Sequence, residues 1–122
     1  MEMEIVEYGT FKIAKISDDA KINTVQDATD LLGNADYRGA SKIIVSETNL
    51  DPEFFNLKSG IAGQILQKVS NYRKKLAVVG DFEKYKSKAL KAFIIECNRG
   101  NHIFFVPDLG TAMKKLVNKN RC

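Results

Sequence analysis

Glu47, Asp81 and Asp108 each stand just beyond a short apolar run, after Lys42 to Ser46, Leu76 to Val79 and Ile103 to Val106 respectively. Carboxylates gathered in one place can hold a magnesium ion or divide general acid and base work. Local roles suit two of them better: Asp108 as the cap of a following helix and Asp81 in the turn after Gly80. Arg99 ends a helical pattern, and its guanidinium fork would meet a ligand, a carboxylate or solvent. His102 has no serine or cysteine at a diagnostic spacing, so no nucleophile and base couple can be drawn along the chain. Cys97 is in helical phase with Leu90, Phe93 and Ile94, which reads as a core thiol rather than a nucleophile. No residue is assigned a catalytic role, and Glu47, Asp81 and Arg99 remain as candidate ligand-binding groups.

The segment Leu57-Lys58-Ser59-Gly60-Ile61-Ala62-Gly63 is the most informative. Ser59 stands where a helix should begin, so its hydroxyl is expected to cap that helix, while Gly60 and Gly63 would let another backbone or a partner approach closely. The same position suits a phosphate, because free N–H groups and the helix dipole stabilise added negative charge and Lys58 is adjacent. Gly60-Ile61-Ala62-Gly63 lacks the Lys-Ser/Thr of a phosphate-binding loop, and no Gly-x-Gly-x-x-Gly occurs, so a nucleotide is not expected.

These residues must be held by the surrounding elements. Glu4 to Tyr8 and Phe11 to Ile16 are rich in β-branched and aromatic residues, and Gly9-Thr10 between them fits a two-residue hairpin. Val25, Ala28, Leu31 and Leu32 fall at helical spacing, with Gly33-Asn34 as the expected stop. The runs Lys42 to Ser46, Leu76 to Val79 and Ile103 to Val106 lack polar alternation, as central strands covered on both faces do. Helical patterns separate and follow them: Ile61, Ile65, Leu66, Val69 and Tyr72; then Leu90, Phe93, Ile94 and Cys97; then Leu109, Ala112, Met113, Leu116 and Val117. Strands alternating with single helices imply right-handed parallel crossovers. The expectation is an α/β fold with a mixed, mostly parallel sheet of about five strands, an N-terminal antiparallel hairpin and about four helices. Ligands in such sheets bind beyond the carboxyl ends of the strands, which points to Ser46-Glu47, Gly80-Asp81 and Pro107-Asp108.

At about 150 residues per domain, the length suits one unit spanning residues 1–122. The chain is 44% hydrophobic and 28% charged with two prolines, which excludes a collagen-like or largely disordered chain. No apolar run approaches a membrane span, and the acidic Met-Glu-Met-Glu start is unlike a secretory signal, so a cytoplasmic location is expected. Cys97, Cys122 and the single His102 supply no zinc framework, and the thiols are expected to be free. Neither a metal nor a cofactor is expected.

Charge is divided along the chain. Residues 1–57 carry 11 acidic and 5 basic side chains and residues 58–122 carry 4 and 14, so a net −6 adjoins a net +10. The stretch from Lys68 to Lys91 is densest in bases, but no aromatic-rich nucleic-acid motif accompanies it, so it reads as a solvated face and argues against nucleic acid. A protein partner, or a homodimer in which acidic and basic faces meet, remains open.

Lys58-Ser59-Gly60-Ile61 with Gly63 and Ile65-Leu66 resembles the Asp-Ser-Ser-Gly-Leu/Ile segment of STAS domains, the anti-sigma factor antagonist fold. In that family the serine before the glycine is phosphorylated by a partner kinase, which switches partner binding, and the hairpin opening and strand-helix alternation are also similar. The resemblance implies a non-enzymatic regulatory domain acting through Lys58, Ser59 and Gly60, although Leu57 and Lys58 replace the family's Asp and first Ser. Three longer runs, Phe54 to Gly60, Asn71 to Phe82 and Glu96 to Pro107, resemble the bacterial domain-of-unknown-function family 4180, which implies no activity. The alternative from another class is a small-ligand domain or enzyme at the carboxyl edge of the sheet.

Overall fold

The computed structural model describes residues 2–117; Cys122 lies outside them. Strands β1 (Met3–Tyr8) and β2 (Phe11–Ile16) form the expected hairpin, with Tyr8 opposite Phe11. Gly9 supplies a φ of +64° at the first turn position, which suits the right-handed twist of the two strands. The chain continues through α1 (Val25–Tyr37), β3 (Lys42–Ser46), three single turns of 3-10 helix (Glu47–Asn49, Pro52–Phe55 and Leu57–Ser59) and α2 (Ile61–Asn71). It ends with β4 (Lys75–Val79), α3 (Lys88–Arg99), β5 (Ile103–Val106) and α4 (Leu109–Val117). The sheet order is β1-β2-β3-β4-β5, antiparallel between β1 and β2 and parallel elsewhere. This is the α/β architecture of five strands and four helices expected from the patterning.

Because the parallel strands follow one another across the sheet, right-handed crossovers put α1, α2 and α3 on one face. There Leu32, Ile65, Val69 and Leu90 pack on Ile16, Ile43, Val45, Val78 and Phe105. On the other face α4 lays Ala112 and Leu116 on Ile44, Ala77, Phe104 and Val106. Two covered faces explain why β3 and β5 show no polar alternation. Lys42 is buried at the entry of β3, with its ammonium 4.2 Å from the centre of the Phe11 ring.

Three local expectations are corrected. Helix α1 runs past Gly33-Asn34 because Ala35 is fully buried, and the chain turns instead at Gly39, where φ is +80°. Helix α2 begins after Gly60, in the left-handed region with φ +79°, so Ser59 is not the N-cap residue. A Cβ at Gly63 would meet nothing, so that glycine allows no close approach within this chain. Helix α3 ends at Gly100 in an extended conformation, with Asn98 still inside the helix. No helix among the described residues is long and apolar enough to cross a membrane.

Candidate functional site

The parallel strands deliver β3 and β4 to the same edge with Ser46 beside Val79, so Glu47 and Gly80 become neighbours. The Glu47 side chain lies across Gly80: a Cβ there would fall 2.6 Å from both Cβ and Oε1 of Glu47. Only a glycine leaves room for this carboxylate. Glu47 Oε2 accepts a hydrogen bond from the Tyr85 hydroxyl and forms an ion pair with Lys84 Nζ at 2.7 Å. Its side chain is 12% exposed, while that of Lys84 is 56% exposed.

The Tyr85 ring stacks on Phe55 with centroids 5.0 Å apart. Phe82 packs edge-on against Phe105 at 5.3 Å, so the loop after β4 is anchored by aromatic rings on both sides. Burial, then the hydrogen bond from Tyr85 to Glu47 and the charge of that carboxylate, push the phenol well above its ordinary range. Tyr85 therefore stays a donor.

Asn49 holds the loop that carries Glu47. It is fully buried, and its Oδ1 accepts from the backbone N–H of Ser46 at 2.8 Å. Its Nδ2 donates to the carbonyls of Ser17 at 2.9 Å and Ala20 at 2.7 Å, tying the exit of β2 to the exit of β3. The same two loops meet at a parallel bridge between Ile22 and Leu50. Between them and the 84–85 loop opens a cavity of about 500 Å³, whose wall includes Lys21, Glu47, Asp51, Phe55, Lys84 and Tyr85.

Of the three residues expected to converge here, Glu47 alone lines the cavity. Asp81 is exposed and its Oδ1 accepts the Glu83 N–H at 3.2 Å, closing the turn. Arg99 precedes β5 and so lies towards the amino edge of the sheet, exposed and paired with Glu96 at 3.3 Å. Asp108 caps α4, accepting from the Thr111 N–H at 2.7 Å, and that bond holds its carboxyl below the usual range. No three carboxylate, histidine or cysteine side chains gather into a metal-sized group among the described residues. The basic stretch is also divided. Lys74 is buried against Asp36 at 2.7 Å and Lys75 opens β4, whereas Lys84 and Lys86 lie beyond the other end of that strand.

Ser59 closes the loop before α2. Its hydroxyl donates to the Glu53 carbonyl at 2.8 Å and accepts from the Ile61 N–H at 3.2 Å, standing in for the cap that Gly60 has no side chain to provide. Lys58 beside it is exposed. Cys97 is a half-buried free thiol, its pKa raised by burial and by Glu96, as a core position implies.

The family described as Domain of unknown function (DUF4180) matches residues 9–116. The chain belongs to the DUF4180 family. The match to DUF4180 spans the cavity loops, Ser59 and the whole sheet except β1. No curated protein and no solved structure matches the chain. Lys84, Tyr85 and Asn49 escape sequence reasoning. The pairing of Phe54-Phe55 with Phe82 and Tyr85, aromatics in two connecting segments, is the signal that could have drawn attention to the cavity wall.

Proposed function

We propose that this protein is a non-enzymatic regulatory or binding domain of STAS-like type, working in the bacterial cytoplasm through a protein partner, with Ser59 as its phosphorylation switch. The observation that carries the reading is the pair of hydrogen bonds made by one hydroxyl: Ser59 Oγ ties the loop carbonyl of Glu53 to the first N–H of α2. A phosphoryl group on Oγ removes the donated hydrogen and sets an anion beside the Glu53 carbonyl, so that tie is lost. The anion gains the helix N-terminus and Lys58 in return. Asp51, Pro52 and Phe55 of the same loop line the cavity, so the change at Ser59 reaches the surface around it. A partner with an apolar or acidic contact face is released by the added charge, and one rich in arginine is recruited.

The test is co-purification from native cells with wild type, Ser59→Ala and Ser59→Asp in parallel. The expected result is a protein partner held by wild type and Ser59→Ala but exchanged or lost with Ser59→Asp. Identical partner sets for wild type and Ser59→Asp overturn the switch.

A second reading, a small-ligand site or enzyme at the carboxyl edge, is favoured by the cavity of about 500 Å³ and its half-buried carboxylate. Its polar groups are Glu47, Lys21, Lys84 and Tyr85 rather than Asp81 and Arg99. A metabolite screen by thermal shift, repeated on Glu47→Gln, tests it: a compound that stabilises wild type and not the variant supports this reading, and an empty screen counts against it.

A further inference from the structure

The two edges of the sheet are built differently. At the β5 edge, Phe105 turns its N–H and C=O away from β4, and the Asn98 side chain satisfies both. Among the described residues nothing equivalent stands at the β1 edge. The bond from Ser17 N–H to Glu2 carbonyl, with Met3 opposite Ile16, fixes which residues of β1 face β2: Glu4, Val6 and Tyr8 do, and Met3, Ile5 and Glu7 turn their backbone groups outward. Only the Met3 carbonyl finds a side chain among the described residues, accepting from Arg38 Nη1 at 2.9 Å.

We infer that β1 is the interface of a homodimer, in which two copies pair antiparallel about a two-fold axis through Ile5. In that register Ile5 lies opposite its own counterpart, and Met3 opposite the partner's Glu7. Residues 3, 5 and 7 share the face covered by α1, because side chains alternate along a strand. The partner's Glu7 therefore arrives over Met3, beside the Arg38 guanidinium. A cavity of about 340 Å³ already exists there, walled by Glu2, Met3, Asn34, Tyr37 and Arg38. Symmetry makes the contact twice.

The charges choose this occupant. An open edge is normally guarded by charge, and Glu4 and Glu7 would repel a strand that set carboxylate against carboxylate. The Ile5-centred register sets no two carboxylates directly opposite: Glu4 faces the partner's Val6, and Glu7 faces Met3 and the cation next to it. The Met3 carbonyl keeps a second lone pair for the partner strand while Arg38 holds the first. Tyr37, 92% exposed, and Tyr8, 43% exposed, flank the seam with the kind of side chain that anchors interfaces.

Sedimentation equilibrium of the full chain over a wide concentration range tests the proposal, with Glu7→Arg, Arg38→Glu and the double variant. Wild type is expected to dimerise, each single variant to raise the dissociation constant about tenfold or more through like-charge contact, and the double variant to recover at least most of that loss. Glu7 is exposed, so its variant stays folded whatever becomes of Arg38→Glu. Amide exchange at Ile5 and Glu7 is expected to slow as wild-type concentration rises. A wild type monomeric at every concentration, a dimer indifferent to both single variants, or a double variant no better than the singles overturns it.

Discussion

The side-chain amide of Asn98 makes two hydrogen bonds with the backbone of Phe105: its Oδ1 accepts the N–H at 2.7 Å and its Nδ2 donates to the carbonyl at 3.1 Å. An amide side chain here does what a sixth strand would do, from the helix that precedes β5. Phe105 is 4% exposed, so water cannot replace either bond without opening the core between α3 and the sheet.

Asn98→Ala therefore leaves a buried donor and acceptor unpaired and is expected to cost about 1–3 kcal/mol. It also uncovers the edge that the chain keeps shut. Chemical denaturation checks the first effect and light scattering on warming checks the second. A variant as stable and as soluble as wild type would show that the amide pair contributes nothing.

Gly80→Ala is expected to destabilise by about 1–3 kcal/mol, because its new methyl group meets the Cβ and Oε1 of Glu47 at 2.6 Å. The cost arises from one neighbour, so it should shrink sharply in a Glu47→Gly background. A double-mutant cycle reads the coupling. Equal costs in both backgrounds would mean that the backbone, not Glu47, demands the glycine.

The hairpin, the three apolar strands and the helical patterns were legible because residue type and period alone decide which side of an element is buried. Glu47 was legible by the same route, since it follows a parallel strand at the edge where such sheets expose their loops. Arg99 was not, because a helix that returns the chain to the start of the next strand ends at the opposite edge. Asn49 and Asn98 look like loop and cap residues in sequence. What defines each is a set of backbone groups, 29 to 32 residues away for Asn49 and seven for Asn98, that only the assembled sheet brings within reach.

Asn49→Ala should be among the most damaging single changes in the described chain. It strands the Ser46 N–H and the Ser17 and Ala20 carbonyls at a position with no solvent access, and a loss of about 3 kcal/mol or more is expected. Asn49→Asp keeps the acceptor for Ser46 but turns an anion on two carbonyls, so it should rescue little. Thermal melts of both variants decide the matter. An Asn49→Asp protein near wild-type stability would mean that the Nδ2 bonds to the β2 exit carry little weight.

Tyr85 sets a pH dependence whose sign follows from its raised pKa. The folded protein holds the phenolic proton more tightly than the unfolded chain, first through burial and then through the bond to Glu47 and its charge. The contribution is fully present below the ordinary tyrosine value of about 10 and is lost as pH rises above it, because the unfolded state ionises first. Tyr85→Phe keeps the stack on Phe55 but removes the hydroxyl, so it should lower stability by about 1–3 kcal/mol near neutrality. Above pH 10 the gap between the two proteins should narrow. Denaturant melts of the pair from neutral to strongly alkaline pH measure that gap, and a gap that stays constant would mean that the Tyr85 phenol ionises as readily in the folded chain as in the unfolded one.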